Sequence, residues 1–273
     1  MRHATRPGRI VVWTCLLMGG IVMVMPFVTM FSTSLKEGSE VYDLTFLPRS
    51  PSFDNYRELF RTTEFGRWFV NSLVTSLLTT ASVLFFDSLV GYTLAKFAFR
   101  GRGVVFVAIL STMMIPTEML VIPWYSMARS MGWLDTYWGI IFPGLMTGFG
   151  VFLMRQFFSS VPDDLIAAAR LDGLNEAQIW WEVALPLVTP ALSALAIFVF
   201  LGNWTAFLWP LIVTSSKNLY TVPVGLAAFS GEQQTQWEMV MTGASVATAP
   251  VLAVFLLLQK YIIDGIMLTG LKG

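Results

Sequence analysis

Two carboxylates, Asp87 and Glu118, lie inside apolar runs. Such groups can carry a proton or bind an ion within a membrane. Other roles are open to both: a buried structural hydrogen bond for Asp87, and a backbone cap beside Pro116 for Glu118. A second kind of chemistry is offered by Leu201-Gly202-Asn203-Trp204-Thr205-Ala206-Phe207-Leu208-Trp209-Pro210, where an amide, a hydroxyl and two indoles interrupt apolar sequence. Amide and indole groups can hydrogen-bond hydroxyls while ring faces cover C–H surfaces, so Asn203, Trp204 and Thr205 suit a neutral polyhydroxylated ligand. Trp209 fits an interfacial aromatic belt instead. The densest charge falls in residues 160 to 190, where Asp163, Asp164, Arg170, Asp172, Glu176 and Glu182 form a polar island between apolar stretches. That island must lie in water, against something else.

Several chemistries are absent from the sequence. There is no GxxxxGK[ST] phosphate loop, no HExxH and no nucleophile elbow, so the chain has no motif for cradling ATP or for hydrolysis. Its only histidine, His3, sits in a basic tail, and Cys15 has no second cysteine with which to pair. No Cys/His cluster suggests a metal. Zero formal net charge gives no sign of nucleic-acid binding.

The elements that position these groups are membrane helices. The 273 residues are 55% hydrophobic and only 12% charged, a composition of multispanning helical proteins. Six spans are expected, at about 10–31, 70–94, 104–127, 137–158, 183–214 and 243–263. The first follows Arg2, Arg6 and Arg9 and is too long for a cleaved signal. A polar segment, 32–69, includes an amphipathic helix from Phe53 to Phe69. Pro116 and Pro123 interrupt the third span, and Gly144-x-x-x-Gly148 in the fourth permits close helix packing. The fifth run is too long for one straight helix. Lys and Arg number ten on the side of both termini and seven on the other, which orients the termini inward.

Within the polar island, Val161-Pro162-Asp163-Asp164 reads as a helix start, with Asp163 able to cap free N–H groups. Ala167, Ala168 and Ala169 give it a small-residue surface, and Gly173 ends it. A second helical stretch, Glu176 to Val183, leads to Leu185-Pro186, where proline can open the next helix.

The spacing Ala168-Ala169, Gly173, nine residues, Val183, Ala184, Leu185-Pro186 resembles the EAA loop of the permease subunits of ATP-binding-cassette importers. Pro51-Ser52-Phe53-Asp54-Asn55-Tyr56, the run Phe149 to Phe158, Leu219 to Ala227 and the ending Gly270-Leu271-Lys272-Gly273 are similar to carbohydrate-type members, of the maltose and glycerol-phosphate kind. The resemblance implies an all-α polytopic membrane protein with six transmembrane helices and a cytoplasmic coupling helix between spans 4 and 5. Its parts would be residues 1–69 (tail, first helix and external loop), 70–264 (transmembrane domain with coupling loop 160–182) and 265–273 (cytoplasmic tail). The implied function is sugar translocation across the bacterial cytoplasmic membrane, with both termini cytoplasmic. ATP and Mg would be held by a separate ATPase, leaving no cofactor in this chain.

The implied partners are a second homologous permease, two ATPase subunits and an extracytoplasmic solute-binding protein. Asp163, Asp164, Ala167, Ala168, Ala169, Arg170, Asp172, Gly173, Val183, Leu185 and Pro186 would form the ATPase-coupling element. Tyr220, Val222, Pro223 and Gly225 would face the binding protein, and Glu118, Asn203, Trp204 and Thr205 are candidates for the substrate pathway. One departure stands out: Ala167 occupies the position of the glutamate that names the motif. Two other readings stay open, a stand-alone ion-coupled secondary transporter using Asp87 and Glu118, and a receptor-like protein without transport.

Overall fold

The computed structural model describes residues 6–43, 45–231 and 235–270. Arg2, His3 and Leu271-Lys272-Gly273 lie outside the described residues, as do the side chains of Arg6, Lys260 and Tyr261. The described residues are helical almost throughout, in the order α1 (Arg6–Ser34), α2 (Asp54–Thr62), α3 (Phe65–Lys96), α4 (Arg102–Thr112), α5 (Val121–Ser130), α6 (Tyr137–Ile141), α7 (Gly148–Ser160), α8 (Asp163–Leu171), α9 (Glu176–Gln178), α10 (Leu185–Leu187), α11 (Thr189–Trp204), α12 (Leu208–Val213), α13 (Val222–Ala227) and α14 (Trp237–Gly270). A π turn, Ile179–Ala184, joins α9 to α10.

Three helices are long and apolar enough to cross a membrane by themselves: α1 over Val12–Ser34, α3, and α14 over Trp237–Leu257. Three bent pairs make up six spans if each pair is one crossing. Arg102–Thr112 and Thr117–Ser130 meet at 93°, Tyr137–Gly144 and Gly148–Ser160 at 46°, and Glu176–Leu187 and Thr189–Trp204 at 85°. The third, fourth and fifth spans are therefore broken rods. In the third, Pro116 lacks an N–H and pushes Ile115 away from helical geometry, so α4 stops at Thr112 and a tight turn at Thr117–Leu120 restarts the chain. In the fifth, Val188 (φ −110°, ψ 17°) separates α10 from α11, and Pro190 lies in the first turn of α11.

The chain divides into two compact units. One comprises residues 1–66 and 225–249. Here the end of α1 is tied down by side chains: Asn55 Nδ2 donates to the carbonyls of Ser34 (3.0 Å) and Lys36 (2.7 Å), and the Ser34 hydroxyl meets Tyr56 Oη at 2.8 Å. Lys36 is buried, and its ammonium donates to the carbonyls of Asp43 and Thr45. The amphipathic helix expected over 53–69 is shorter than the sequence suggested. It ends at Thr62 because Thr63 is extended, and the Thr63 hydroxyl accepts from Phe65 N to start α3.

The other unit, residues 67–224 and 250–273, holds the larger core. Tyr92, Met154, Phe158, Ile166, Ile179, Trp180, Ala184, Val188 and Leu195 pack there, joining α3, α7, α8, the π turn and α11. Burial of such side chains is worth about 1.5–3 kcal/mol each relative to water, and it fixes α8 to the membrane helices.

Candidate functional site

The polar island forms the short helix α8 and the turn after it. Pro162 holds the N-cap position without a side-chain bond, so Asp163 does not cap the helix as expected. The reason is a stronger partner: Lys96, last residue of α3, donates to Asp163 Oδ1 at 2.6 Å and to the Val161 carbonyl at 2.6 Å. The Lys96 side chain is only 4% exposed. Its ammonium holds the Asp163 carboxyl below the usual carboxylate range, chiefly through that hydrogen bond. Asp163 and Asp164 still favour the positive end of α8.

At the other end, Leu174 N donates to Ala169 O and Gly173 N to Arg170 O, both at 3.1 Å. This closing motif needs a left-handed residue, and Gly173 (φ 86°) supplies it. Arg170 Nε then meets Glu176 Oε1 at 2.6 Å, and Tyr92 Oη donates to Glu176 Oε2 at 3.3 Å. Asn175 and Gln178 cap the next helix reciprocally.

The three alanines do not form one surface. Ala169 (6% exposed) and Ile166 (2%) face the core, because residues three apart share a helix face. Ala167, Ala168, Asp164 and Arg170 are exposed, together with two residues that composition did not single out, Leu165 and Leu171. Leu171 is 89% exposed, an apolar side chain in water on an otherwise charged helix. Beyond the π turn, Val183 and Leu185 are half-buried against the core, whereas Pro186 is exposed.

Asp87 is fully buried in α3 and makes structural hydrogen bonds. Thr147 N donates to Asp87 Oδ1 at 3.2 Å and to Oδ2 at 3.0 Å, and the Thr147 hydroxyl donates to Oδ2 at 2.7 Å. Thr147 Oγ1 accepts in turn from Gly150 N, so a buried anion and a hydroxyl together cap the start of α7. Gly148 packs closely on α4, where an added Cβ would come 2.8 Å from Met113. Glu118 is exposed in the turn before α5 and forms no bond among the described residues, so it caps nothing there.

The candidates in the fifth span point different ways. Trp204 is 3% exposed, stacked on Phe200 and edge-on to Phe69. Asn203 is half-buried and donates to Val199 O at 2.8 Å, while the exposed Thr205 donates to Leu201 O. Trp209 is not an interfacial belt residue: its indole N–H donates to the carbonyls of Gly139 (3.0 Å) and Ile140 (3.2 Å), locking α12 to α6.

In the segment before α13, Val222 and Gly225 are buried, Tyr220 and Pro223 are half-buried, and the exposed residues are Ser215 to Asn218. Asn71 holds this segment by donating to the carbonyls of Asn218 (2.8 Å) and Tyr220 (2.9 Å) while accepting from Tyr137 Oη (2.6 Å). Asp135 accepts from the backbone of Ser215 and Ser216 and from the Ser216 hydroxyl.

Broken apolar spans enclosing capped helix ends, with a charged helix seated on their ends, define a membrane transport permease. Residues 87–267 match the family described as binding-protein-dependent transport system inner membrane component, and the chain belongs to that family. It is 37% identical over an alignment of 280 positions, covering 100% of both chains, to the arabinooligosaccharides transport system permease protein AraQ of Bacillus subtilis. It is 33% identical to the trehalose transport system permease protein SugB of Mycobacterium tuberculosis, over 91% of this chain and 92% of that one. A crystal structure of a bacterial ABC transporter involved in the import of the acidic polysaccharide alginate contains a similar chain. The TM-score is 0.84 at 26% identity, over 96% of this chain and 100% of the other. The chain is thus the permease subunit of an ATP-binding-cassette importer, a role that needs no ion coupling through Asp87 or Glu118.

Proposed function

We propose that this permease carries a sugar, in the class of short oligosaccharides, across a bacterial cytoplasmic membrane. It works with a second homologous permease, two ATPase subunits that bind ATP and Mg, and an extracytoplasmic solute-binding protein. Support for the sugar class comes from relatives named for arabinooligosaccharides and trehalose that align over nine-tenths or more of the chain. This chain would contribute movement and a pathway, with hydrolysis on its partners. Residues 70–264 would be the transmembrane domain, with both termini cytoplasmic.

One observation supports α8 as the coupling helix. Its Ile166 and Ala169 face is sealed into the permease core, while Leu165, Ala168 and Leu171 stand exposed beside Asp164 and Arg170. An apolar knob ringed by charge is the pattern of a docking face. Ala167 in place of glutamate leaves Leu171 as the prominent contact. The exposed residues Ser215 to Asn218, held by Asn71, would face the binding protein, with Tyr220 and Pro223 at the edge of that surface and Val222 and Gly225 anchoring it. Asn203, Thr205 and Glu118 remain the pathway candidates with accessible polar atoms, and Trp204 would support Asn203 from behind.

The test is purification of the tagged chain from its native membrane, with identification of every chain that accompanies it. An ATPase and a second permease are expected. Leu171→Glu should weaken ATPase retention by roughly 30-fold, as loss of a central docking residue worth about 2 kcal/mol would. Recovery of this chain alone would overturn the reading. Calorimetry of the accompanying binding protein against arabinose oligosaccharides, trehalose and uronate oligosaccharides then selects the sugar.

A further inference from the structure

The last two turns of α3 are bound to both ends of α8. At the start of α8, the buried Lys96 ammonium bridges Asp163 and the Val161 carbonyl with two 2.6 Å bonds. At its end, Tyr92 Oη reaches Glu176, which is held by Arg170 of α8 at 2.6 Å. The Tyr92 ring is buried, edge-on to Phe97 and Phe158. Between these points α3 lies directly on α7: a Cβ on Gly91 would come 2.7 Å from Met154 Cβ and 2.9 Å from Arg155 N, leaving no slack between the backbones.

The alternative path from α8 into the membrane runs along the chain itself. It passes the left-handed Gly173, the π turn Ile179–Ala184 and the break at Val188, where the axis bends by 85°. Each of these is a place where a helix can flex. A push applied at α8 therefore meets a direct, multiply bonded route into α3 and a jointed route into α11.

We propose that α3 is the element that receives the movement of α8, and that Lys96 and Tyr92 are positioning residues that make α3, α7 and α8 one rigid body. This rests on α8 being the ATPase-coupling helix. Pro186 and the π turn then act as a compliant joint that lets α11 lag behind. Lys96 is suited to the task because its buried ammonium joins the carboxylate and the backbone on either side of Pro162. The clasp survives loss of either single contact.

The experiment uses the complete complex in nanodiscs, in a Cys15→Ser background. Spin labels are placed by Asp164→Cys with Val70→Cys, to measure α8 against the far end of α3. A second pair, Asp164→Cys with Ile122→Cys, measures α8 against α5. Distances are read with and without ATP and vanadate. Expected results are a shift of the α8–α5 distance by about 2 Å or more and an unchanged α8–α3 distance. Lys96→Met should free the α8–α3 distance to shift or broaden, Tyr92→Phe should add to that effect, and Lys96→Arg should restore the fixed distance.

If the unsubstituted complex moves its α8–α3 distance as much as its α8–α5 distance, α3 does not ride with α8. The coupling helix would stand and this proposal would fall. A fixed α8–α3 distance in Lys96→Met would equally remove Lys96 from the role. Absence of any α8–α5 shift, or failure of the ATPase to co-purify, would overturn the coupling-helix reading itself and this inference with it.

Discussion

Gly150→Ala places a methyl group where the Asp87 carboxylate lies. The added Cβ would come 2.9 Å from Asp87 Cγ and 2.8 Å from Thr147 Oγ1, and closer still to Asp87 Oδ2. The carboxylate is fully buried and Gly150 itself is buried, so neither has solvent to move into. Overpacking of this kind costs about 1–3 kcal/mol, and displacing a hydrogen bond to an ionised group about 1.5–3 kcal/mol more. A sum of about 3–5 kcal/mol corresponds to a lowering of the melting temperature by roughly 6–15 °C for a chain of this size. The control is Gly202→Ala in α11, where an added Cβ meets nothing within 4 Å. That change should be neutral or gain up to about 1 kcal/mol from helix propensity. Both variants are compared by thermal unfolding of the purified complex in mild detergent, monitored by size-exclusion fluorescence. Asp87→Ser added to Gly150→Ala removes the colliding carboxylate but keeps an acceptor, and should recover part of the loss. A Gly150→Ala protein that melts within about 2 °C of its parent would show that the Asp87–Thr147 cap is not a rigid element of the core.

Asp135 sits in the left-handed region (φ 55°) and is held below the usual carboxylate range, mainly by the Ser216 hydroxyl and then by backbone N–H groups. Its folded value is thus lower than its unfolded one of about 3.9. The stabilisation it gives is complete above that ordinary value and is lost as pH falls through the folded one. Asp135→Asn, which tolerates the same backbone, should remove this acid sensitivity, read as protease cutting at residues 215–218 between pH 3 and 6. Lys36→Met keeps the buried stem but leaves the Asp43 and Thr45 carbonyls unpaired, at about 1–3 kcal/mol. Faster proteolysis between residues 37 and 52 would report it. Asn71→Ala removes three hydrogen bonds around Asn218, Tyr220 and Tyr137. It should lower the affinity for the solute-binding protein in surface plasmon resonance while leaving ATPase co-purification unchanged.

Much of the architecture could be read from residue order. Apolar runs marked the six crossings, Pro162 and Gly173 bounded α8, and Pro116 marked a break in the third span. A proline states where a hydrogen bond must fail but not where the chain goes next. The 93° and 85° bends are set by tertiary packing around Met113 and Val188. The alanine run illustrates a second limit. Composition shows three small residues, whereas the 100° step of the helix sends Ala169 inward and leaves Ala168 outside. Trp204 and Trp209 looked alike in sequence, yet one is a buried packing residue and the other a hydrogen-bonded bolt.

Lys96 was legible only as a charge closing an apolar run. Its burial depends on the Val161 carbonyl and Asp163, some sixty-five residues away. Glu176 was visible as part of the polar island, but its pairing with Tyr92 required the fold. Leu171 could have been found by asking which apolar residue interrupts the charged face of α8.

The π turn at Ile179–Ala184 has a consequence for building hybrid proteins. A π turn accommodates one residue more than an α-helical path, so every position after it is phased about one residue, or roughly 100°, from where uninterrupted α-helical counting would put it. A chimeric permease joined upstream of residue 179 to a partner lacking this extra residue would present Leu185, Val188 and Leu195 to the wrong neighbours although the sequences aligned without a gap. Joined after Ala184, the same two halves would stay in phase.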